Sequence, residues 1–266
     1  MKNKSTKPTT VDLIQSTPNA AELLIFSKKT RLSMTPKGFD DIVNMTDERK
    51  AEELKYVFGT IGSSWEFVDY VFLISGVTRA FTHQLVRHRV GVSFAQQTMR
   101  AVDMSAGFDW MASGACSEGE TFERYSTIMK DIAFQYSEMV SAGAAPQDAR
   151  GILPTNILTT ILVKINLRSL SALLNTRLCY KAQGEFQTVA KEMRHCVLGV
   201  HPWAEPVLRV HCAQYGSCAF PGYADCPMKN LFPKLKADNE QLGKMARAHD
   251  AMQHEAKPKI KKEDAT

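Results

Sequence analysis

Hydrophobic positions in this chain gather into a few periodic blocks separated by polar and turn-forming stretches. Residues 67–74, Phe-Val-Asp-Tyr-Val-Phe-Leu-Ile, form a nearly unbroken apolar run, which predicts a buried strand. The run leads through Gly76 into a short helix predicted to end near Val86. Ile157 to Ile165 is a second apolar core segment rich in β-formers, in which strand and helix are both open readings. Elsewhere the period is helical. Thr46 reads as an N-cap, with Ala51, Leu54, Val57 and Phe58 on one face and Gly59 as the stop. Ser117 and Glu120 make a capping-box pattern. It opens a long amphipathic helix with a predicted buried face of Phe122, Tyr125, Met129, Ile132, Ala133, Tyr136, Met139 and Val140, ended by Gly143 and Pro146. Helices follow at 167–178 and 182–199, the second with a core stripe of Phe186, Val189, Ala190, Met193 and Val197. Strands and helices do not alternate as a doubly wound sheet requires, so the fold class is α+β.

Composition adds bounds. The chain has 266 residues, 44% hydrophobic and 23% charged, enough to bury one sizeable core. Residues 1–8 and 252–266 are charged and poor in apolar side chains, and are expected to be disordered tails flanking a single domain over 9–251. No apolar stretch approaches the roughly 18 residues of a membrane span, and the N-terminus lacks a secretory signal, so a cytoplasmic location is expected. The net charge of +5 suits an anionic small molecule as well as a nucleic acid and does not choose between them. Six cysteines in such a chain are thiols or metal ligands rather than disulfides. His211, Cys212, Cys218 and Cys226 fall within one short segment and could bind zinc. No Cys-x-x-Cys pair accompanies them, which favours plain thiols.

The densest chemistry lies at 87–100, which reads Arg-His-Arg-Val-Gly-Val-Ser-Phe-Ala-Gln-Gln-Thr-Met-Arg. Guanidinium forks with neutral donors beside them suit phosphate oxygens. A solvated basic face is the plain alternative, but the segment follows a core strand, and charges held by a scaffold are those that bind. A second constellation comprises Arg150-Gly-Ile-Leu-Pro154, Asn166-Leu-Arg168-Ser-Leu170 and Asn175-Thr-Arg177-Leu178. On a helical wheel Leu167, Leu170, Leu173, Leu174 and Leu178 define an apolar arc, with Arg177 inside it and Arg168 opposite. An Arg on an apolar face is paired, snorkels, or serves a ligand.

Together these motifs, in order from about Ser63 to Trp203, closely resemble the flavin-dependent thymidylate synthases, also called the thymidylate-synthase-complementing family. The resemblance implies a central mixed or antiparallel sheet with flanking helices and a homotetramer with active sites between subunits. It implies FAD-dependent reductive C5 methylation of dUMP to dTMP, with carbon from methylenetetrahydrofolate and hydride from NADPH. By the same resemblance, Gln84, Arg87, Gln96, Gln97, Thr98, Met99, Arg100 and Arg150 match dUMP-binding positions. Ser63, Arg87, His88, Arg89, Gln96, Asn166, Leu167, Arg168 and Ala172 match FAD-binding positions, and Arg177 matches the Arg that activates the uracil. A guanidinium beside uracil N3 and its neighbouring carbonyl favours the N3-deprotonated ring and raises electron density at C5. The unrelated classical enzyme relies on a Pro-Cys-His nucleophile, a tripeptide this chain lacks.

The chain also departs from the family pattern. Gln96, Thr98 and Ala101 stand where Glu, Ser and Tyr are usual, and an extra residue lies between Arg89 and Ser93, shifting the register by one. Ile61 and Lys181 replace histidines, Ala172 replaces an Asn, and Gly184 replaces the aromatic of Ala-Gln-Trp-Glu. The phosphate and uracil arginines are kept, while positions facing flavin, folate and sugar vary. This leaves open C5 hydroxymethylation, or methylation of UMP or dCMP. A nucleic-acid-binding protein and an inactive structural paralogue are the readings from other classes; the first fits less well because 84–100 carries only one aromatic, Phe94.

Overall fold

The structure is a computed structural model and describes residues 8–32, 38–112, 114–220 and 226. Tails 1–7 and 227–266 lie outside the described residues, so the expected terminal disorder is not addressed. The elements run β1 (Thr10–Ser16), α1 (Ala20–Leu32), α2 (Phe39–Val43), α3 (Asp47–Phe58), β2 (Asp69–Thr78), α4 (Arg79–Leu85) and β3 (Val92–Gln96). They continue with α5 (Gly119–Ser141), α6 (Pro146–Ala149), β4 (Leu158–Asn166), α7 (Leu167–Arg177), α8 (Gly184–Val200) and α9 (His211–Tyr215). Among the described residues the strands form one sheet in the order β1-β2-β4-β3, with every pairing antiparallel. The α+β class holds, and the sheet is antiparallel rather than mixed.

Both apolar runs become the central strands. β2 and β4 pair from Asp69↔Asn166 to Thr78↔Leu158, interrupted near Gly76. Tyr70, Phe72 and Ile74 alternate with half-exposed neighbours, as do Ile161, Val163 and Ile165. That period of two makes 158–166 a strand, because Leu162 and Lys164 face away from the core. The first run needs a correction: β2 starts at Asp69, later than expected, and Phe67 ends a 3-10 turn over Gly62–Phe67 and is 60% exposed. The buried face of the sheet packs with α1, α7 and α8 through Leu24, Ile25, Leu170, Leu174, Phe186 and Val189.

Capping explains several boundaries. Thr46 accepts from Arg49 N and Gly59 closes α3, as the sequence predicts. Ala51 is exposed, however, and the buried face of α3 includes Glu53, because its carboxylate meets the fully buried Lys28 of α1 at 2.7 Å. The capping box at Ser117 does not form. α5 starts at Gly119, and Ser117 Oγ instead donates to Gly114 C=O. The helix buries Ser126, Met129, Ala133 and Tyr136, while Met139 of the predicted face is exposed. Strands β1 and β3 and helix α1 carry too little periodic signal to be read from sequence. They are short, edge-placed or weakly amphipathic, and tertiary pairing specifies them.

Two tight contacts bring distant segments together. Gly91 sits at φ +64°, and a Cβ there would lie 2.1 Å from Asn166 Nδ2. Around it, Asn166 N donates to Gly91 C=O at 3.0 Å and Ser169 Oγ donates to Val90 C=O at 2.6 Å. The turn after Arg-His-Arg is thereby pinned onto the N-terminus of α7.

Candidate active site

The site grows from the ends of the two central strands. Thr78 terminates β2 and caps α4, its hydroxyl accepting from Phe81 N at 3.0 Å. The same hydroxyl donates to Glu185 Oε2 and Thr78 N donates to Glu185 Oε1, each at 2.7 Å. Glu185 lies in the first turn of α8, so α4 and α8 are clamped together.

α4 presents Arg79, whose Nη1 donates to Gln97 C=O at 3.0 Å. Burial and the nearby charge of Arg150 pull the Arg79 guanidinium below its ordinary value. Two like charges that repel each other suit an anion that would neutralise them. Indeed Arg79, Arg87, Arg89, Arg100 and Arg150 have no carboxylate ion-pair partner among the described residues. Arg79 is a residue that the sequence reading missed. The available signal was an Arg at the first position of a helix directly after a core strand.

Further along α4, Gln84 Nε2 donates to Gln183 Oε1 at 2.5 Å, and Gln84 Oε1 accepts from Arg177 Nη1 at 3.3 Å. Arg177 ends α7 and is half-buried, as its place in the apolar arc predicts. Its guanidinium stands 4.3 Å from the centroid of the Phe186 ring, and its Nε is buried with no hydrogen-bond partner. Among the described residues it has no carboxylate, and burial lowers its proton affinity relative to an ordinary Arg. His88 approaches the same ring edge-on at 6.4 Å, and burial together with the Arg177 charge holds its imidazole toward the neutral form.

A second group forms at the other end of α7. Asn166 caps the helix, its Oδ1 accepting from Ser169 N at 2.8 Å. Arg168 is exposed and paired with Glu66 at 2.5 Å, which fits its place opposite the leucine arc. Leu167 is fully buried and Ala172 exposed. Ser63 lies in the 3-10 turn that packs on α7, at the edge of a cleft of about 450 Å³ lined by Leu23, Phe26, Ser27, Thr30, Ser64 and Phe67. Ser64 Oγ is buried there with no hydrogen-bond partner. An apolar cleft with an orphaned hydroxyl, and Arg87 and Arg89 held to α7 by the Gly91 turn, fit a large cofactor carrying both an aromatic ring and phosphates. FAD is such a group, and Ser63, Arg87, His88, Arg89, Asn166 and Arg168 could hold it.

The remaining expected residues lie apart. Gln96 Nε2 donates to Thr82 Oγ1 at 3.0 Å, which turns it back onto α4. Thr98, Met99 and Arg100 follow β3 in a turn closed by Arg100 N donating to Thr98 Oγ1 at 3.2 Å. No hydrogen bond or ion pair among the described residues joins Arg100 to Arg177. Another cleft, of about 550 Å³, lies between residues 106–110 and α5 and is lined by none of the sequence-predicted site residues. As for zinc, no group of three or more His, Cys, Asp or Glu placed to hold a metal occurs among the described residues, His211, Cys212, Cys218 and Cys226 included.

Comparison with known proteins places the chain in a family. The sequence model of the family described as "Thymidylate synthase complementing protein" matches residues 12–203. The flavin-dependent thymidylate synthase of Pyrococcus furiosus is 31% identical over 194 residues, covering 68% of this chain and 75% of the relative. That of Geobacter sulfurreducens is 31% identical over 196 residues, covering 72% and 83%. The fold is similar to the crystal structure of a UMP/dUMP methylase, PolB, from Streptomyces cacaoi bound with 5-Br dUMP. The TM-score is 0.62 at 17% identity, over 75% of this chain and 94% of that one. With the family model matched over residues 12–203 and an antiparallel α+β fold, the chain belongs to the flavin-dependent thymidylate synthases, the thymidylate-synthase-complementing enzymes.

Proposed function

We propose that the protein carries out FAD-dependent reductive C5 methylation of dUMP to dTMP, with methylenetetrahydrofolate as carbon donor and NADPH as reductant. The observation that carries this reading is the set of arginines without carboxylates: Arg79 beside Arg150, and Arg177 stacked on Phe186 with its Nε unpartnered. Buried or crowded cations without counter-charges are costly in the empty protein and are matched by an anionic ligand.

In this reading Arg79, Arg87, Arg100 and Arg150, with Gln97, Thr98 and Met99, receive the nucleotide phosphate and sugar. Gln84 and Gln96 orient the base. Arg177 faces N3 and the adjacent carbonyl. A guanidinium keeps its charge at neutral pH, so it withdraws electron density electrostatically rather than by taking a proton, and a partly desolvated site strengthens that effect. His88, held toward neutral, adds no second positive charge that would compete for the ring. FAD held by Ser63, Arg87, His88, Arg89, Gln96, Asn166, Leu167, Arg168 and Ala172 would supply the hydride chemistry. The exposed Ile128 and Met139 on α5, with half-buried Ile132 between them, make an apolar ridge that supports assembly into the family's homotetramer.

A second reading, hydroxymethylation or the use of UMP or dCMP, is favoured by one feature. A Cβ on Gly184 would meet nothing within 4 Å, so space stands open beside Gln183, at the position where the family carries an aromatic. The test is to purify the full chain, record its absorption spectrum, and weigh the products made from dUMP, UMP and dCMP with methylenetetrahydrofolate and NADPH. Yellow protein and a methylated dUMP product are expected. Colourless protein that takes up no added FAD would overturn the enzyme reading, and a hydroxymethyl product would select the second.

A further inference from the structure

We propose that Phe186 is a positioning residue for Arg177, fixing the plane of the guanidinium that meets the base. This rests on the role of Arg177 given above and extends it to a residue with no polar atom. Phe186 is fully buried and would pass for ordinary core. Its surroundings differ from those of the other stripe residues of α8. The Arg177 guanidinium carbon stands 4.3 Å from its ring centroid, Phe81 of α4 packs edge-on at 4.8 Å, and His88 approaches at 6.4 Å. The ring thus touches α4, α7 and the turn after α4, the segments that carry Gln84, Arg177 and His88.

Nothing else grips Arg177 firmly. Its one hydrogen bond among the described residues, to Gln84 Oε1, is long at 3.3 Å, and its Nε has no partner. A cation that must keep its donors free for a ligand cannot be oriented by a carboxylate, which would occupy those donors and neutralise the charge. An aromatic face orients it without a counter-charge and without taking up its N–H donors. The platform is in turn fixed from outside: Glu185, the preceding residue, takes both hydrogen bonds from Thr78, and Gln183 holds Gln84.

The experiment compares Phe186→Leu with replacement of Phe186 by a ring-fluorinated phenylalanine, which keeps shape and volume but weakens the negative face of the ring. Two quantities are read. The first is steady-state kcat and KM for dUMP beside flavin reduction by NADPH. The second is the pH at which protein-bound 5-fluoro-dUMP loses its N3 proton, followed by fluorine NMR. Both variants are expected to lower kcat by about 2–30-fold, the factor a cation–π contact carries at a partly desolvated site. KM should change little and flavin reduction should be retained. N3 ionisation should move to higher pH, toward that of the free nucleotide. If Phe186→Leu does not fold, the fluorinated ring decides. Should the fluorinated protein, folded, show wild-type kcat and N3 ionisation, Phe186 is packing only and the proposal falls. Arg177→Lys separates the two failures: if it too leaves N3 ionisation and turnover unchanged, the assignment of Arg177 is wrong; if it loses both while the Phe186 variants keep them, only the platform is.

Discussion

Arg79 and Arg150 repel each other in the absence of ligand, and the fold holds them together nonetheless. Removing either should weaken nucleotide binding by about 1.5–3 kcal/mol, the range for hydrogen bonds to charged groups. The nucleotide-free protein should lose little stability, because a repulsion leaves with the side chain. Calorimetric titration with dUMP, paired with thermal melts of Arg79→Ala and Arg150→Ala, measures both; unchanged affinity in both variants would remove them from the phosphate site. Arg177→Lys keeps the charge but loses the planar fork. Product formation should fall at least about 100-fold, comparable to losing one preorganised donor, while NADPH still reduces the flavin. Arg177, Arg87 and Arg150 were legible in sequence because their motif and wheel positions singled them out. Arg79 and the platform under Arg177 were not, since only the packing of α8 on α4 and α7 shows what faces a guanidinium.

Helix junctions carry the next set of expectations. Gly91 occupies left-handed backbone pressed against Asn166 and Ser169. Gly91→Ala adds about 1–2 kcal/mol of backbone strain and a clash that must push the Arg-His-Arg turn off α7. Flavin affinity should drop together with the melting temperature, whereas Gly107→Ala, at φ +102° with nothing within 4 Å of its Cβ, should cost strain alone and leave flavin bound. Between α1 and α3, Lys28 and Glu53 pair at 2.7 Å with both side chains fully buried. Glu53→Leu leaves a buried ammonium, and a loss of about 3–5 kcal/mol is expected in urea unfolding. Adding Lys28→Met should restore much of it. A Glu53→Leu variant as stable as the wild type would show that the buried pair, with Lys29 and Arg49 sharing its carboxylate, carries no weight there. The sequence located α3 by its Thr46 cap and Gly59 stop, but the apolar face read from it did not include Glu53, because the partner comes from a helix with hardly any periodic signal.

At the scale of the whole molecule, stability should depend on pH through His88 and His201. Burial lowers the proton affinity of both, and the Tyr70 hydroxyl lies 3.1 Å from His201 Nδ1, an arrangement that suits an unprotonated acceptor. With folded values below the ordinary 6.5, the unfolded chain binds protons that the folded one refuses. Stability is therefore full above about pH 6.5 and declines as pH falls through the window beneath it. Urea midpoints from pH 7.5 down to pH 5 should show that decline, and it should flatten in His201→Gln. Assembly belongs to this scale as well. If the ridge Ile128, Ile132 and Met139 lies in a subunit contact, the double variant Ile128→Glu, Met139→Glu should shift the mass in light scattering to a smaller species and abolish product formation, since the family's sites form between subunits.

The sequence by itself determined the first central strand, the place of a second apolar core segment, the amphipathic helices α3, α5, α7 and α8, and the arginine motifs. Each of these is written in neighbours a few residues apart, where period, caps and charge spacing act. It left Ile157 to Ile165 undecided between strand and helix, missed β1, β3 and α1, and placed a capping box at Ser117 where the chain instead turns through Gly119. Only the tertiary structure decided those, because an edge strand is specified by the partner it pairs with and a weak helix by the face that covers it. The same physics governs the site: Arg-His-Arg and Asn-Leu-Arg lie far apart in the chain, and the close approach of Gly91 to Asn166 is what makes them one surface.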